Sequence, residues 1–312
     1  MKISRFTALA VLLLAVMLLA GCSKSKGAFH AGTSEKEIGK LKVVTTFAPL
    51  YSFAVNVAGD AAVVENLVPI GASIHSFQAK PSDIKKIARA DVLIINGVGL
   101  EEFLDDIVRG AANPGLTIVD TSKSIKVLES HDKDEHQDGD PHIWLSPENA
   151  VKQVEAIRDA LIKADPKNAK SYSKNAEAYI ERLKRLDVDI AKELASAKKE
   201  KYFVFHNAYQ YFEKQYGIRN SGSIEEFPGK EPSPRQMARI IDYIKDHGAR
   251  IVFTEPQFSP KVIDVLRQDY GIYTGVLDPI GQELSRDGYE KNMRRNLSSL
   301  MKAFKEVKDD GL

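Results

Sequence analysis

Residues 165–201 read DPKNAKSYSKNAEAYIERLKRLDVDIAKELASAKKEK, a stretch with no glycine and with no proline after Pro166. Apolar residues recur along it every three or four positions, at Ala169, Tyr172, Ala176, Tyr179, Leu183, Leu186, Ile190, Leu194 and Ala197. Asp165 is a favourable N-cap residue, and proline is favoured at the first helical position. The spacing therefore predicts one amphipathic helix of about 34 residues and about 50 Å, far longer than its neighbours.

Short β-type runs alternate with helical patterns on both sides of this helix. The predicted strands cover residues 41–47, 63–70, 92–96 and 116–119 before it, and residues 202–205, 219–224, 251–254 and 273–277 after it. Such alternation is typical of right-handed βαβ units and mostly parallel sheets. The sequence thus predicts an α/β fold of two lobes, residues 41–165 and 201–312, joined by a backbone helix at residues 166–200, with a ligand site in the inter-lobe cleft.

Composition limits the chemistry that this chain can support. Its 312 residues are 43% apolar and 28% charged, which is typical of a globular protein. The net charge is +1, without the basic excess that is typical of nucleic-acid-binding proteins. We therefore expect no nucleic acid among the partners. Cys22 is the only cysteine, which excludes an intrachain disulfide and a thiolate-based zinc site. Any metal must be bound by His, Asp or Glu.

The N-terminus indicates export and attachment to a membrane. Lys2 and Arg5 precede an apolar run at residues 8–20, which is too short to span a bilayer and is typical of a signal peptide. The run ends in Leu-Ala-Gly-Cys, which resembles the bacterial lipobox, where the cysteine is lipidated and becomes the first mature residue. We expect a signal peptide at residues 1–21 and a lipidated Cys22 with a flexible tether at residues 22–40. An ordinary signal peptide with an incidental cysteine is the alternative.

Side chains that can bind a metal lie at the ends of several predicted strands. His75 lies in the loop after the second strand, and His206 and Asp278 directly follow later strands. His142 lies in an Asp-Pro-His segment before a predicted helix. Ligands of open α/β sheets bind outside the carboxyl ends of the strands, where three imidazoles and a carboxylate would form a tetrahedral zinc set. Spacing alone leaves open that the histidines are hydrogen-bonded loop residues and Asp278 a turn residue.

Several longer motifs point to a known family. After the lipobox the chain contains, in order, GASIHSFQAKPSD, NGVGLEEFL, GDPHIWLSPENA, HNAYQYF, FTEPQF and LDPIG. Together they resemble the zinc- and manganese-binding lipoproteins of metal ABC importers, over a region that runs from the signal peptide to about residue 300. The resemblance implies two α/β lobes joined by a long helix. It also implies that the metal binds in the cleft through His75, His142, His206 and Asp278.

The resemblance also bears on the choice of metal. Relatives with a glutamate at the position of His206 tend to suit manganese, whereas three nitrogen donors and one oxygen favour zinc. The loop at residues 131–140 carries His131 and His136, which predict either weak zinc capture or a solvated loop. Glu255 follows a predicted strand, where it would accept a hydrogen bond from a ligand histidine or cap the next helix.

The resemblance implies a binding protein and not an enzyme. We expect an extracytoplasmic, lipid-anchored zinc receptor that acts as a monomer and delivers Zn²⁺ to an ABC permease. A manganese receptor of the same class is the first alternative. A zinc-dependent hydrolase would need an open coordination position for an activated water, and a surface adhesin would need an exposed binding face.

Overall fold

The computed structural model describes residues 39–130, 138–195, 197, 201–223, 233–248, 250–256 and 264–309. The predicted signal peptide, the lipobox and most of the predicted tether therefore lie outside the described residues, as do His131 and His136. Within the described ranges, no helix is both long enough and apolar enough to cross a membrane.

The first sheet is built from strand–helix–strand units. In chain order the elements are β1 (Leu41–Thr45), α1 (Ala48–Ala58), β2 (Ala62–Asn66), α2 (Pro81–Ala88), β3 (Val92–Ile95), α3 (Leu104–Ala111) and β4 (Thr117–Asp120). The strand order is β2-β1-β3-β4, and every pair is parallel. The carboxyl ends of all four strands consequently lie at one edge of the sheet, where the loops that follow them can form a site.

Two helices that pack on each other follow this sheet, α4 (Pro147–Ala164) and α5 (Ala169–Leu194). Helix α4 begins after Ser146, whose hydroxyl accepts a hydrogen bond from the amide of Asn149. Helix α5 is the long helix predicted from the sequence, and its stripe at Tyr172, Ala176, Tyr179, Leu183, Leu186, Ile190 and Leu194 is buried as expected.

The predicted length of this helix was wrong. Helix α5 has 26 residues, which corresponds to about 39 Å. It starts three residues late because Pro166–Asn168 form a 3₁₀ turn. The Asp165 carboxylate accepts hydrogen bonds from the side-chain amide of Asn168 and from the Tyr172 hydroxyl, and it makes no side-chain cap bond to a backbone amide of the turn. The residue at the N-cap position of the α-helix is Asn168 and not Asp165.

The second sheet follows α5. Its elements are β5 (Phe203–Val204), α6 (Gln210–Tyr216), α7 (Pro234–Asp246), β6 (Ile251–Thr254), β7 (Tyr273–Val276) and α8 (Gly288–Asp309). The strand order is β5-β6-β7, again with parallel pairs. The α/β class with two mostly parallel sheets and one long helix is thus confirmed. The exact division at residues 41–165, 166–200 and 201–312 stays a prediction.

One predicted strand of the second half, residues 219–224, is not a strand over its described part. An isolated parallel bridge joins Ser223 to Val204, and residue 224 lies outside the described ranges. Two backbone hydrogen bonds support this bridge, from the Ser221 amide to the Tyr202 carbonyl and from the Val204 amide to the Gly222 carbonyl. Just before it, the backbone and side-chain amides of Asn220 both donate to the Glu213 carboxylate.

A large hydrophobic cluster spans both halves of the chain and runs along the buried face of α5. It includes Phe47 and Trp144 from the first half, Phe253 and Leu297 from the second, and Leu186 from α5. Two smaller clusters each lie within one half of the chain and contain residues of its central strands. Because both sheets contribute to the large cluster, their relative position is fixed by packing as well as by the connecting helix.

Polar contacts also join the two halves. The hydroxyl of Ser52 and the amide of Asn56, both on α1, donate to the backbone carbonyl of Arg286, just before α8. Arg182 on α5 donates to Asn56 and forms ion pairs with Asp287 and Glu290. This junction ties α1, α5 and the start of α8 together, so it opposes a wide hinge motion of the two sheets.

Candidate metal centre

Three histidines from separate loops converge where the two halves of the chain meet. His75 comes from the long loop after β2, His142 precedes the 3₁₀ turn Ile143–Leu145, and His206 follows β5. Each offers one ring nitrogen, and these nitrogens all lie within 4.8 Å of one another. His142 is 2% exposed and His206 is 9% exposed, so the centre is largely shielded from water.

The spacing of the imidazoles suits a single small cation. The Nε2 atoms of His75 and His142 lie 3.2 Å apart. Two nitrogens bound to one tetrahedral zinc ion at about 2.0–2.1 Å lie about 3.3 Å apart. The ring centroids of the three histidines are 4.7–5.2 Å apart, so the rings surround a common point without stacking.

A buried carboxylate orients His142. One oxygen of Asp140 lies 2.8 Å from Nδ1 of His142 and accepts the His142 backbone amide at 2.9 Å. Asp140 is 1% exposed, and its carbonyl accepts a hydrogen bond from the Tyr211 hydroxyl. A carboxylate only accepts, so Nδ1 of the neutral ring carries the hydrogen and Nε2 keeps its lone pair for a metal.

His206 has an equivalent partner in the second half. Its Nδ1 lies 2.9 Å from Oε1 of Glu255, which directly follows β6 and is buried. The same argument places the lone pair of His206 on Nε2. The alternative role of Glu255, as the cap of a following helix, concerns residues 257–263, which lie outside the described ranges.

Asp278, the fourth predicted ligand, is not part of this three-histidine group. Its Oδ1 accepts the backbone amides of Ile280 and Gly281, and its Oδ2 accepts the side-chain amide of Gln282. The carboxylate therefore stabilises its own turn, which is the alternative that spacing left open. Near it, the Tyr209 hydroxyl is buried and lacks a hydrogen-bond partner among the described residues. Burial, with the nearby charges of Glu255 and Asp278, raises the pKa of Tyr209 well above its usual value.

Trp144 links the His142 loop to the Asp278 loop. Its indole nitrogen donates to the carbonyl of Pro279 at 2.7 Å, and its own carbonyl accepts the Tyr289 hydroxyl at 2.8 Å. The indole ring also lies against His142, with centroids 5.3 Å apart. The loops that carry candidate ligands from the two halves are thus joined directly.

Two further residues support the His142 loop, and the sequence reasoning assigned them no role. The side chain of Asn96, directly after β3, donates to the carbonyl of Pro141 at 2.8 Å. Its backbone amide donates to Glu101, which also accepts from Thr46 and Gly97. Burial raises the pKa of Glu101 to about 7, although these hydrogen bonds act to lower it. Asp140 was also missed, although an aspartate two residues before the histidine is a recognisable signal for an Asx-turn.

Two parallel α/β sheets, one long connecting helix and a histidine-lined centre where the halves meet define the class of two-lobed metal-binding receptors. Residues 43–303 match the family model of ZnuA, described as zinc-uptake complex component A, periplasmic. The chain belongs to this family.

Individual relatives differ in the metal that they bind. The chain is 33% identical over 306 residues to the manganese-binding lipoprotein MntA of Halalkalibacterium halodurans, covering 95% of this chain and 97% of that one. It is 32% identical over 286 residues to the zinc-binding protein AdcA of Streptococcus pyogenes. That match covers 84% of this chain but only 56% of AdcA, so the chain spans little more than half of that relative's length.

Solved structures share the fold. The SBP FpvC of P. aeruginosa, in complex with Ni²⁺, superposes with a TM-score of 0.76 at 30% identity. The superposition covers 86% of this chain and 98% of FpvC. The names of these relatives thus mention zinc and manganese, and one solved structure contains nickel. The similarity alone does not select the metal, so the choice must be argued from the donor atoms of this chain.

Proposed function

We propose that this protein is a high-affinity zinc receptor that binds Zn²⁺ at His75, His142 and His206 and delivers it to an ABC permease. The observation that carries the proposal is the convergence of three imidazoles, two of them backed by buried carboxylates. Three nitrogen donors at this spacing suit a tetrahedral zinc ion. The family description and the name of the S. pyogenes relative point to the same metal.

A manganese receptor of the same class is the second candidate, and the similarity to MntA favours it. Manganese prefers carboxylate and water oxygens, whereas the three converging residues here offer nitrogen. The histidine at position 206, in place of a carboxylate, is therefore the feature that makes zinc the better assignment.

Asp278 is proposed as the fourth ligand, which would close the coordination sphere. A closed sphere leaves no position for an activated water and no route to zinc-dependent hydrolysis. The protein accordingly binds and releases its cargo without transforming it. His131 and His136 are proposed as a weak auxiliary site at most.

The remaining parts of the proposal follow from the N-terminus. Cys22 carries a lipid that anchors the protein, as a monomer, at the outer face of a bacterial membrane, and the tether at residues 22–40 lets it reach the permease. Labelling of the lipid and its loss in Cys22→Ala would test the anchor.

The metal assignment is tested by titrating a metal-stripped form that begins at Ser23 against a competing chelator of known affinity. We expect one tight zinc per chain and much weaker manganese. The variant His142→Ala should lose the tight zinc, whereas His247→Ala, a histidine at the end of α7, should retain it. Equal affinity for the two metals would transfer the assignment to manganese, and the absence of tight binding would refute the site.

A further inference from the structure

The main chain of Asp278 is held firmly by α8. Its amide donates to Oδ1 of Asn296, and its carbonyl accepts the side-chain amides of Asn292 and Asn296. The next carbonyl along the chain, that of Pro279, accepts the indole of Trp144. With the backbone fixed on both sides, only rotation of the side chain can move the carboxylate.

The two carboxylate oxygens have unequal partners. Oδ1 accepts two backbone amides, at 3.0 Å from Ile280 and 2.8 Å from Gly281, which the turn itself fixes. Among the described residues, Oδ2 accepts one hydrogen bond, from the side-chain amide of Gln282 at 2.7 Å. Gln282 is exposed, so water can replace its amide at Asp278 for the net cost of one hydrogen bond, about 1 kcal/mol. Oδ2 is therefore the oxygen that can leave its partner.

A ligand oxygen at a tetrahedral zinc lies about 3.3 Å from each of the other donor atoms. The three histidine nitrogens meet within 4.8 Å, but no oxygen of Asp278 belongs to that group. For Asp278 to bind, its carboxylate must approach the histidines, and the contact of Oδ2 with Gln282 opposes that approach.

We propose that Gln282 sets the metal affinity of the site by competing with the bound ion for Oδ2 of Asp278. The inference rests on the proposed metal-receptor function and adds a residue to it. The three histidines form the entry site, and Asp278 completes the coordination after Oδ2 exchanges the Gln282 amide for the cation. The receptor thereby has a weaker three-ligand state from which the ion can be released.

The test is a double-mutant cycle on the full protein, with zinc affinity measured by chelator competition. Gln282→Ala should bind zinc about fivefold more tightly than the wild type, the factor for one hydrogen bond of about 1 kcal/mol. Asp278→Ala should bind more weakly by more than about tenfold. In the Asp278→Ala background, Gln282→Ala should change the affinity by less than twofold. Gln236→Ala, which removes an amide that caps α7, is the matched control and should leave zinc binding unchanged.

The outcomes separate the two proposals. If the wild type binds no tight zinc, the receptor function falls, and the role of Gln282 falls with it. If the wild type binds zinc but Gln282→Ala binds it equally or more weakly, only the competition is refuted. If Gln282→Ala raised zinc affinity equally in the wild-type and Asp278→Ala backgrounds, the competition would also be refuted, because the effect would not depend on the Asp278 carboxylate. Thermal unfolding of each metal-free variant checks that the fold is retained.

Discussion

Replacement of Asp140 by alanine is expected to weaken zinc binding without removing any proposed ligand. Asp140 accepts two hydrogen bonds from His142, one from the ring and one from the backbone amide. It thereby selects the tautomer in which Nε2 is free to bind a metal, and its negative charge makes that nitrogen a better donor. In the variant both tautomers become accessible and the ring loses its fixed orientation.

The size of the effect follows from burial. Asp140 is 1% exposed and His142 is 2% exposed, so water can neither screen the pair nor replace the lost carboxylate. Loss of an outer partner of a metal-bound histidine typically costs 10- to 100-fold in affinity, or about 1.4–2.7 kcal/mol. Asp140→Asn keeps an acceptor for Nδ1 but loses the charge. We therefore expect zinc affinity to fall about tenfold in Asp140→Asn and up to about 100-fold in Asp140→Ala.

The assay is chelator-competed zinc titration of metal-stripped protein, with the fluorescence of Trp144, the only tryptophan, as an independent signal. Asp165→Asn is the matched control, because Asp165 is also a buried carboxylate that accepts two side-chain hydrogen bonds, from Tyr172 and Asn168. That variant should lose stability but retain zinc affinity within twofold. A folded Asp140→Ala protein with wild-type zinc affinity would refute the reasoning.

Three further predictions concern other parts of the molecule. Glu255→Ala should lower zinc affinity about tenfold in the same titration, because His206 loses its hydrogen-bond partner. An unchanged zinc affinity would contradict this expectation. Burial raises the pKa of Glu101 from 4.5 to about 7, so its contribution to the free energy of unfolding is present below pH 4.5 and is lost as the pH rises through 7. Urea unfolding of the wild type and of Glu101→Gln should show that the difference between their free energies of unfolding changes by on the order of 3 kcal/mol between these two pH values. A difference that stays constant with pH would disprove the prediction. Arg182→Ala should lower the free energy of unfolding by about 1 kcal/mol in the same assay, through lost contacts with Asp287 and Glu290, and leave zinc affinity unaltered; altered zinc affinity would show that the junction reaches the metal centre.

Local patterns were sufficient for most of the secondary structure. The apolar spacing along α5 identified its buried face, because an α-helix repeats every 3.6 residues whatever it packs against. The predicted start of the helix was wrong because Pro166–Asn168 form a 3₁₀ turn, beside which the Asp165 carboxylate accepts the side chains of Asn168 and Tyr172. Over its described part, the strand expected at residues 219–224 is only an isolated bridge to β5, supported by two backbone hydrogen bonds.

The sequence by itself determined the α/β class and the long helix, and it marked the three histidines as candidates, because each of these rests on a local pattern around its own position in the chain. Only the tertiary structure decided which partners complete the centre. Glu255 lies 49 residues from His206, and Asn96 lies 45 residues from Pro141, so no local pattern could pair them. The same holds for Trp144 and Pro279, which are 135 residues apart and join the two ligand loops. Such pairs form when packing of the two sheets against α5 brings distant loops together. A local sequence pattern does not show which of these loops become neighbours in space.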